Sequence, residues 1–307
     1  MEIIRNISSF QSERNMVVSL GNFDGVHEGH AQLIRRTVSL AKEKGLESAL
    51  VTFEPHPLKF FGADIRLIST LDMKIREFEK LGADKLFLMK FDEHLAGINP
   101  EIFVSEFLVK KMRASFIVVG YDYRFGRGRA GSFDFLVHLS SRLGFTAIQV
   151  PKVEINGMTA SSTNVRKCLA EGEIDCANTL LGRNFAIGGT VVKGDGIATG
   201  IGFPTANIEP QNELIPMNGI YAATVNVDGK RYNGALYIGE RPTVGSGLKK
   251  RVEVNLFNFS GNLYGKYIEA EIVHFIRHDR KFGSVDELKA QIKTDCDNIK
   301  VFFERQK

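Results

Sequence analysis

The sequence is short of cysteine. Only Cys168, Cys176 and Cys296 occur in 307 residues, scattered, odd in number and without a CxxC pair. Neither a disulfide framework nor a zinc site is indicated. Long apolar runs are missing as well. The opening MEIIRNISSFQSERN mixes acids and polar residues and has no apolar signal core, and no run approaches membrane-spanning length. These absences predict a chain of the reducing cytoplasm with no membrane partner. An excess of one charge is also missing, with 40 basic against 36 acidic residues and a net charge of +4. That balance tolerates small anionic molecules but makes no case for a nucleic-acid partner. There is no internal repeat and no low-complexity tract. What remains is the composition of an ordinary soluble globular protein, long enough for two cores. None of these features encodes an oligomeric state.

The first part alternates short apolar runs with helical patterns. MVVSL (16–20), ESALVTF and SFIVVG read as buried strands. HAQLIRRTVSLAKEKG reads as a helix stopped at Gly45, and TLDMKIREFEKLG as one ending at Gly82. Asn99 and Pro100 supply an N-cap and a first helical residue for NPEIFVSEFLVKKM. Strand and helix in alternation predict a parallel sheet covered on both faces, with ligands at the carboxyl ends of its strands. Near Gly182 the pattern changes to consecutive β-rich runs, among them GIYAATVNV, RYNGALYIG, RVEVNLFNF and KYIEAEIVHFI. VDGKRY reads as a hairpin turn between two of them. This half is an antiparallel sheet or small barrel. A closing helix follows, with Ser284 as N-cap and Glu287 completing a capping box. The expected division is 1–183 and 184–307, with GRNFAIGG (182–189) as linker.

Two stretches carry chemistry. GNFDGVHEGH (21–30) places Gly21, Gly25 and Gly29 and two histidines where a strand turns into a helix. Helix N-termini present unpaired N–H groups and a partial positive charge, which suits a phosphate. His27 and His30 can donate hydrogen bonds to phosphate oxygens. The same stretch also reads as a plain turn with incidental histidines. Ser162, Thr163 and Arg166 open a second helix, where hydroxyls and a guanidinium could bind further phosphates. Simple capping and a solvated helix face are the alternatives. In GTVVKGDGIATGIGFPTANIEP (189–210), Gly194, Gly196, Gly200 and Gly202 permit a close phosphate loop, but no GK[ST] ending follows and a Walker-type P-loop is excluded. PTAN alone is also an ordinary turn.

GNFDGVHEGH resembles the HxGH signature of nucleotidyltransferases. TFEPHPLKFF (52–61), GYDYRFGRGRAG (120–131) and SSTNVRKCLAEGEI (161–174) follow in order, as in the adenylyltransferase half of bacterial bifunctional riboflavin kinase/FAD synthetases. GFPTAN is similar to the riboflavin kinase signature of the same family. NGIY (218–221), GALYIGERPTVG (234–245), VEVNLFNFSGNLYG (252–265) and FIRHDRKF (275–282) extend the match. The resemblance implies a Rossmann-like nucleotidyltransferase domain followed by an antiparallel β-barrel kinase domain. It implies ATP-dependent phosphorylation of riboflavin to FMN, then adenylylation of FMN to FAD with release of pyrophosphate. Gly21, Asp24, Gly29, Ser162, Thr163, Arg166, Gly194 and Gly202 are assigned to nucleotide binding. His27 and His30 serve adenylyl transfer. Asp122 and Arg277 are assigned to flavin, and Thr205 and Asn207 to Mg²⁺, for which their oxygens suit a hard cation. Glu253 corresponds to the kinase base. Read without the family, GYDYRFGRGRAG is a basic glycine loop, and Glu253 and Arg277 are solvated strand charges.

Four positions depart from the common form. Thr199 replaces an arginine, Asn255 a histidine, Asp279 a glutamate and Ala160 an isoleucine. Of these, Thr199 bears on how the kinase loop meets ATP. Rival readings explain less. An HxGH enzyme for another substrate leaves the PTAN half unexplained. A class I aminoacyl-tRNA synthetase lacks its KMSKS element here. A rival of another class makes the barrel a non-catalytic binding or regulatory module, for nucleic acid for example, but that half offers no RNP-like motif and no basic excess.

Overall fold

The computed structural model describes residues 1–7, 9–194, 200–242 and 248–306. Gly196, Thr199 and residues 243–245 lie outside the described residues. The chain divides into two compact units, Met1–Ser161 and Ser162–Lys307.

The first unit is built on β1 (Glu2–Ile4), β2 (Met16–Leu20), β3 (Glu47–Glu54), β4 (Lys85–Lys90), β5 (Ala114–Gly120) and β6 (Thr146–Val150). They form one six-stranded parallel sheet in the order β1-β4-β3-β2-β5-β6. Strand alternation divides β2 between two cores. Met16, Val18 and Leu20 pack with Val104, Leu108 and Leu136, while Val17 packs with Ile34 and Phe78 on the other face. Each such large side chain, fully buried, contributes roughly 1.5–3 kcal/mol. Helix α1 (Glu28–Lys44) covers the second face together with α3 (Leu71–Lys80), and the short α2 (Pro57–Phe60) lies between them in sequence. Gly45 ends α1 in the left-handed conformation, as its sequence predicts. After α4 (Glu93–Ala96), Asn99 caps α5 (Pro100–Ile102) by accepting from the Glu101 N–H at 2.8 Å. The start agrees with the sequence. The continuation does not, because Phe103–Lys111 winds as a π-helix. Helix α6 (Phe133–Leu143) completes that face, and a small hairpin of β7 (Glu154–Ile155) and β8 (Met158–Thr159) ends the unit.

The second unit opens with α7 (Ser162–Glu171) and α8 (Ile174–Leu181). The cysteine reading needs correction here. Cys168 on α7 and Cys176 on α8 are disulfide-bonded, with Cα atoms 6.1 Å apart. Their sequence separation of 8 escapes a CxxC rule. The tight turn at Gly172, with φ of 76°, brings the two helices face to face. The supposed linker is also ordered differently, since β9 (Phe185–Val192) already belongs to the barrel and buries Phe185 and Ile187. Strands β10 (Ala206–Pro210), β11 (Gly219–Val227), β12 (Lys230–Pro242), β13 (Leu248–Leu256) and β14 (Tyr267–His278) close it in the order β10-β13-β12-β11-β14-β9. All its pairings are antiparallel. The predicted hairpin joins β11 and β12, with Asp228 and Gly229 both at positive φ. Ile187, Ile208, Leu236, Ile238, Val252, Val254 and Ile272 form its buried lining. Helix α9 (Val285–Glu304) is the last element of the described residues. Ser284 caps it by accepting from the Glu287 N–H at 3.2 Å, while the Glu287 carboxylate accepts from Gly283 N–H at 3.0 Å.

Candidate active sites

In the first unit the chain leaves β2, turns through Asn22–Val26 and enters α1. His27 is the N-cap of that helix, its backbone extended and its Nδ1 accepting from the His30 N–H at 3.4 Å. Accepting at Nδ1 leaves the proton of a neutral ring on Nε2, as a donor. The His27 and His30 rings stack, 3.7 Å between centroids. His30 also meets the edge of Phe23 at 5.3 Å. His30 Nδ1 is enclosed and has no hydrogen-bond partner among the described residues. Burial holds the His30 pKa well below its usual value, helped by the neighbouring charges of His27 and Lys74.

The glycine between the histidines has a specific neighbour. A Cβ at Gly29 would lie 2.9 Å from the Ala160 carbonyl oxygen and 3.1 Å from the His27 ring. The close approach is therefore to the protein's own backbone and to the capping imidazole. Asp24 is buried and accepts from the Ile68 N–H at 3.0 Å, so its carboxylate holds the turn to the segment before α3. Gly21 follows β2 directly and is buried. Asp122 lies exposed in the loop after β5, beside Tyr121. Ser162, Thr163 and Arg166 occupy the first two turns of α7 in the other unit.

The barrel assembles its group from strand register. Asn207 on β10 lies directly opposite Glu253 on β13, and Glu253 opposite Tyr237 on β12. Directly opposed residues share a face. Val252 is paired with Ile208 and Ile238 on the apolar face, so Glu253 projects from the other one, outside the barrel. It is nonetheless only 6% exposed. Arg251 donates to its Oε1, and the Thr205 hydroxyl lies 3.4 Å from its Oε2. The reading of Glu253 as a solvated charge does not fit that environment. Gly194 is packed against the same group, since a Cβ there would come within 2.1 Å of the Asn207 amide nitrogen. Gly202 takes a φ of 93° just before Phe203 and the PTAN turn. Asn255, one of the departing positions, donates to the Pro204 carbonyl at 2.7 Å and so secures that turn. Tyr237 hydrogen-bonds Asp279 at 3.0 Å, and its pKa is pushed up to about 12 by burial, with the Asp279 carboxylate adding to it.

Arg277 is not a solvated strand charge either. Its Nε and one terminal nitrogen grip Asp295 of α9 at 2.9 and 2.7 Å, and the other terminal nitrogen donates to the His278 carbonyl at 2.8 Å. Asp295 is 3% exposed and also accepts from Gln291 at 2.8 Å. Beside this brace an open cleft of about 410 Å³ runs between Arg280–Phe282 and α9, with Gln291 and Thr294 on its wall. Cys296 is buried and its thiol pKa is pushed up to about 11 by that burial.

Sequence reasoning missed Lys74, Arg251, Tyr237 and Asp295. Only Lys74 carried a local signal: it stands four residues before Phe78, on the buried face of α3. The others emerge from strand pairing and from helix docking.

Comparison with known proteins agrees with both halves. Residues 9–164 match the FAD synthetase family model, and residues 181–303 match the riboflavin kinase model. A bifunctional riboflavin kinase/FMN adenylyltransferase of Escherichia coli K12 is 37% identical over 308 residues, covering 99% of this chain and 98% of the relative. The Bacillus subtilis protein of the same description is 36% identical over 295 residues, covering 93% and 92%. A solved structure from Streptococcus pneumoniae, described as a macrolide-efflux protein, superposes with a TM-score of 0.88 at 30% identity, covering 95% of this chain and 96% of that one. Among the described residues of the present chain, no helix is long and apolar enough to cross a membrane. With both domain models matched in order and full-length relatives at this identity, the chain belongs to the bifunctional riboflavin kinase/FMN adenylyltransferase family.

Proposed function

We propose that the two activities of this family are carried by the two residue groups just described. The enzyme phosphorylates riboflavin to FMN with ATP, then transfers AMP from ATP to FMN, giving FAD and pyrophosphate. The proposed functional division follows residues 1–183 and 184–307. A cytoplasmic location, and a partner set limited to riboflavin, FMN and ATP, belong to the same proposal.

Adenylyl transfer requires no side-chain nucleophile. A phosphate oxygen of FMN attacks the α-phosphorus of ATP as the bond to pyrophosphate breaks. The protein's task is alignment and stabilisation of negative charge. His27 and His30 suit the α-phosphate because their ring N–H groups stand at the start of α1, where the helix adds its own partial positive charge. Gly21, Asp24 and Gly29 shape the turn that carries them. Ser162, Thr163 and Arg166 are assigned to the outer phosphates and Asp122 to the flavin nucleotide.

In the barrel, Glu253 accepts the proton of the ribityl 5′-hydroxyl as that oxygen attacks the γ-phosphorus. Its carboxylate is held by Arg251 on one oxygen and faces Thr205 with the other, so its direction is fixed before substrate arrives. Thr205 and Asn207 bring a hydroxyl and an amide oxygen to the same spot, a donor set that fits Mg²⁺. Among the described residues no cluster of three His, Cys, Asp or Glu side chains could hold a metal alone. Magnesium typically takes few protein ligands and completes its shell with phosphates and water. When bound it would neutralise phosphate charge. Gly194 and Gly202 give the ATP loop its close approach. Arg277, fixed by Asp295, is assigned to the flavin end beside the cleft.

The pairing of Asn207 with Glu253 in strand register, with the Thr205 hydroxyl 3.4 Å from the same carboxylate, supports the kinase assignment, and the stacked histidine cap supports the other. The test is to supply riboflavin, ATP and Mg²⁺ and separate products by chromatography. His27→Ala and His30→Ala are expected to stop at FMN. Loss of FMN formation in a folded His30→Ala protein would defeat the two-centre assignment.

A further inference from the structure

Lys74 is the anomaly of the first unit. It lies on α3 among Met73 and Phe78, and is 8% exposed. Lysine is almost never buried without a charged partner, because desolvating an ammonium is costly. Here Nζ reaches the Asn22 carbonyl oxygen at 3.3 Å and the Thr52 hydroxyl at 3.5 Å. Both contacts are long, both acceptors are neutral, and an ammonium has three protons to place. Lys74 makes no ion pair among the described residues. Thr52 in turn donates to the Asn22 carbonyl at 3.2 Å. Asn22 belongs to the turn that leads to His27, and Thr52 lies near the carboxyl end of β3, so the three groups tie α3, the turn and the sheet together.

The electrostatic setting is compact. Around Lys74 stand Asp24 from the turn and Glu54 from the end of β3, both of which favour its charge, while burial opposes it and lowers its pKa. Around His30 stand His27 from the cap of α1 and Lys74 from α3, both of which oppose protonation of the ring. An ammonium without a direct counter-ion and an imidazole nitrogen without a partner thus neighbour each other at the carboxyl end of a parallel sheet. The carboxylates of Asp24 and Glu54 act on Lys74 without an ion pair, and a bound polyphosphate would bring further negative charge to the same end of the sheet.

We propose that Lys74 is a positioning residue of the adenylyl-transfer site, pinning the Asn22 carbonyl to the sheet and holding a fixed positive charge behind the His27–His30 pair to balance the charge of the departing pyrophosphate. The proposal rests on the assignment of those histidines to adenylyl transfer. It adds a cationic group to that reaction beside the two histidines, from a helix outside the HxGH turn.

The test compares Lys74→Gln, Lys74→Met and Lys74→Arg with His30→Ala, all in the full chain. FAD formation from FMN and ATP is followed across pH with kcat and KM separated. FMN formation by the same preparations reports on the rest of the molecule. Lys74→Gln and Lys74→Met are expected to lower kcat for FAD formation by about 10–100-fold with little change in KM. The limb of the pH profile set by His30 should move to higher pH, since a nearby positive charge no longer opposes its protonation. Lys74→Arg should restore most of kcat and the original limb. A wild-type kcat in Lys74→Gln would overturn the proposal. So would an equal loss at every pH that arginine does not repair, or loss of FMN formation in both neutral variants, which would make Lys74 a residue of the fold. Survival of FAD formation in His30→Ala would refute the histidine assignment, and the Lys74 variants would still be judged on their own rates.

Discussion

The two units place functional groups by opposite means. In the first, main chain does most of the work. A strand ends, a turn follows, and α1 begins with His27 as its cap, the same ring that is proposed to meet the α-phosphate. In the second, the main chain is a closed antiparallel wall, and side chains standing opposite one another across β10, β13 and β12 make the group. The first arrangement depends on backbone path, so small residues and buried contacts behind the turn control it. The second depends on register, so the identity of one carboxylate should matter more than the bulk of its neighbours.

The sharpest way to break this comparison is Glu253→Gln. The substitution keeps the size of the side chain and its place between Arg251 and Thr205 but removes the basic oxygen. FMN formation should fall by about 10²–10⁴-fold in kcat, the usual range for a general base. FAD formation from supplied FMN should be unchanged, as product chromatography of both reactions would show. Near-normal FMN formation would return Glu253 to a structural role.

Gly29→Ala tests the other construction. One methyl group would lie 2.9 Å from the Ala160 carbonyl oxygen, and the turn must shift to admit it. Overpacking of this kind typically costs about 1–3 kcal/mol. Urea unfolding of the first unit should show that loss, and a displaced His27 should reduce FAD formation while FMN formation persists. An unaltered FAD rate would mean that backbone path is less critical there than the histidine cap suggests.

The smallest effect concerns acid. The folded protein holds the pKa of His30 below its usual 6.5, so the unfolded chain binds its proton first. The contribution of the neutral ring is fully present above that value and is lost as pH falls from it toward the folded pKa. One proton gives a slope of at most about 1.4 kcal/mol per pH unit. Thermal unfolding between pH 7 and 5 (on the order of the histidine range) should flatten in His30→Gln. A slope unchanged by that substitution would place the acid sensitivity elsewhere.

Much of this was legible in the sequence because it depends on local chemistry. Gly45 stops α1, Asn99 starts α5, and Asp228-Gly229 turns a hairpin, each for reasons contained within a few residues. The motifs around His27, Thr205 and Glu253 were equally local. What the sequence withheld is relational. Asn207 opposite Glu253 requires the register of two strands far apart in the chain. The grip of Arg277 on Asp295 requires a docked helix, and the Cys168–Cys176 bond requires two helices folded back at Gly172. The π-helical winding of Phe103–Lys111 has no signal in its cap or its proline. A charged residue on the apolar face of a short helix, as at Lys74, is the kind of local contradiction that marks a functional place in advance.

The alternation along β13 has a consequence for how this gene can vary. Val252 and Val254 lie on the apolar face of the barrel wall and Glu253 on the other, so chemistry and core occupy opposite parities of a single strand. Substitutions leave parity alone. Insertion or deletion of one residue exchanges it, turning a carboxylate into the oily interior and valines onto the face that Glu253 now occupies. Length changes in this strand therefore preserve its two faces only when they come in pairs.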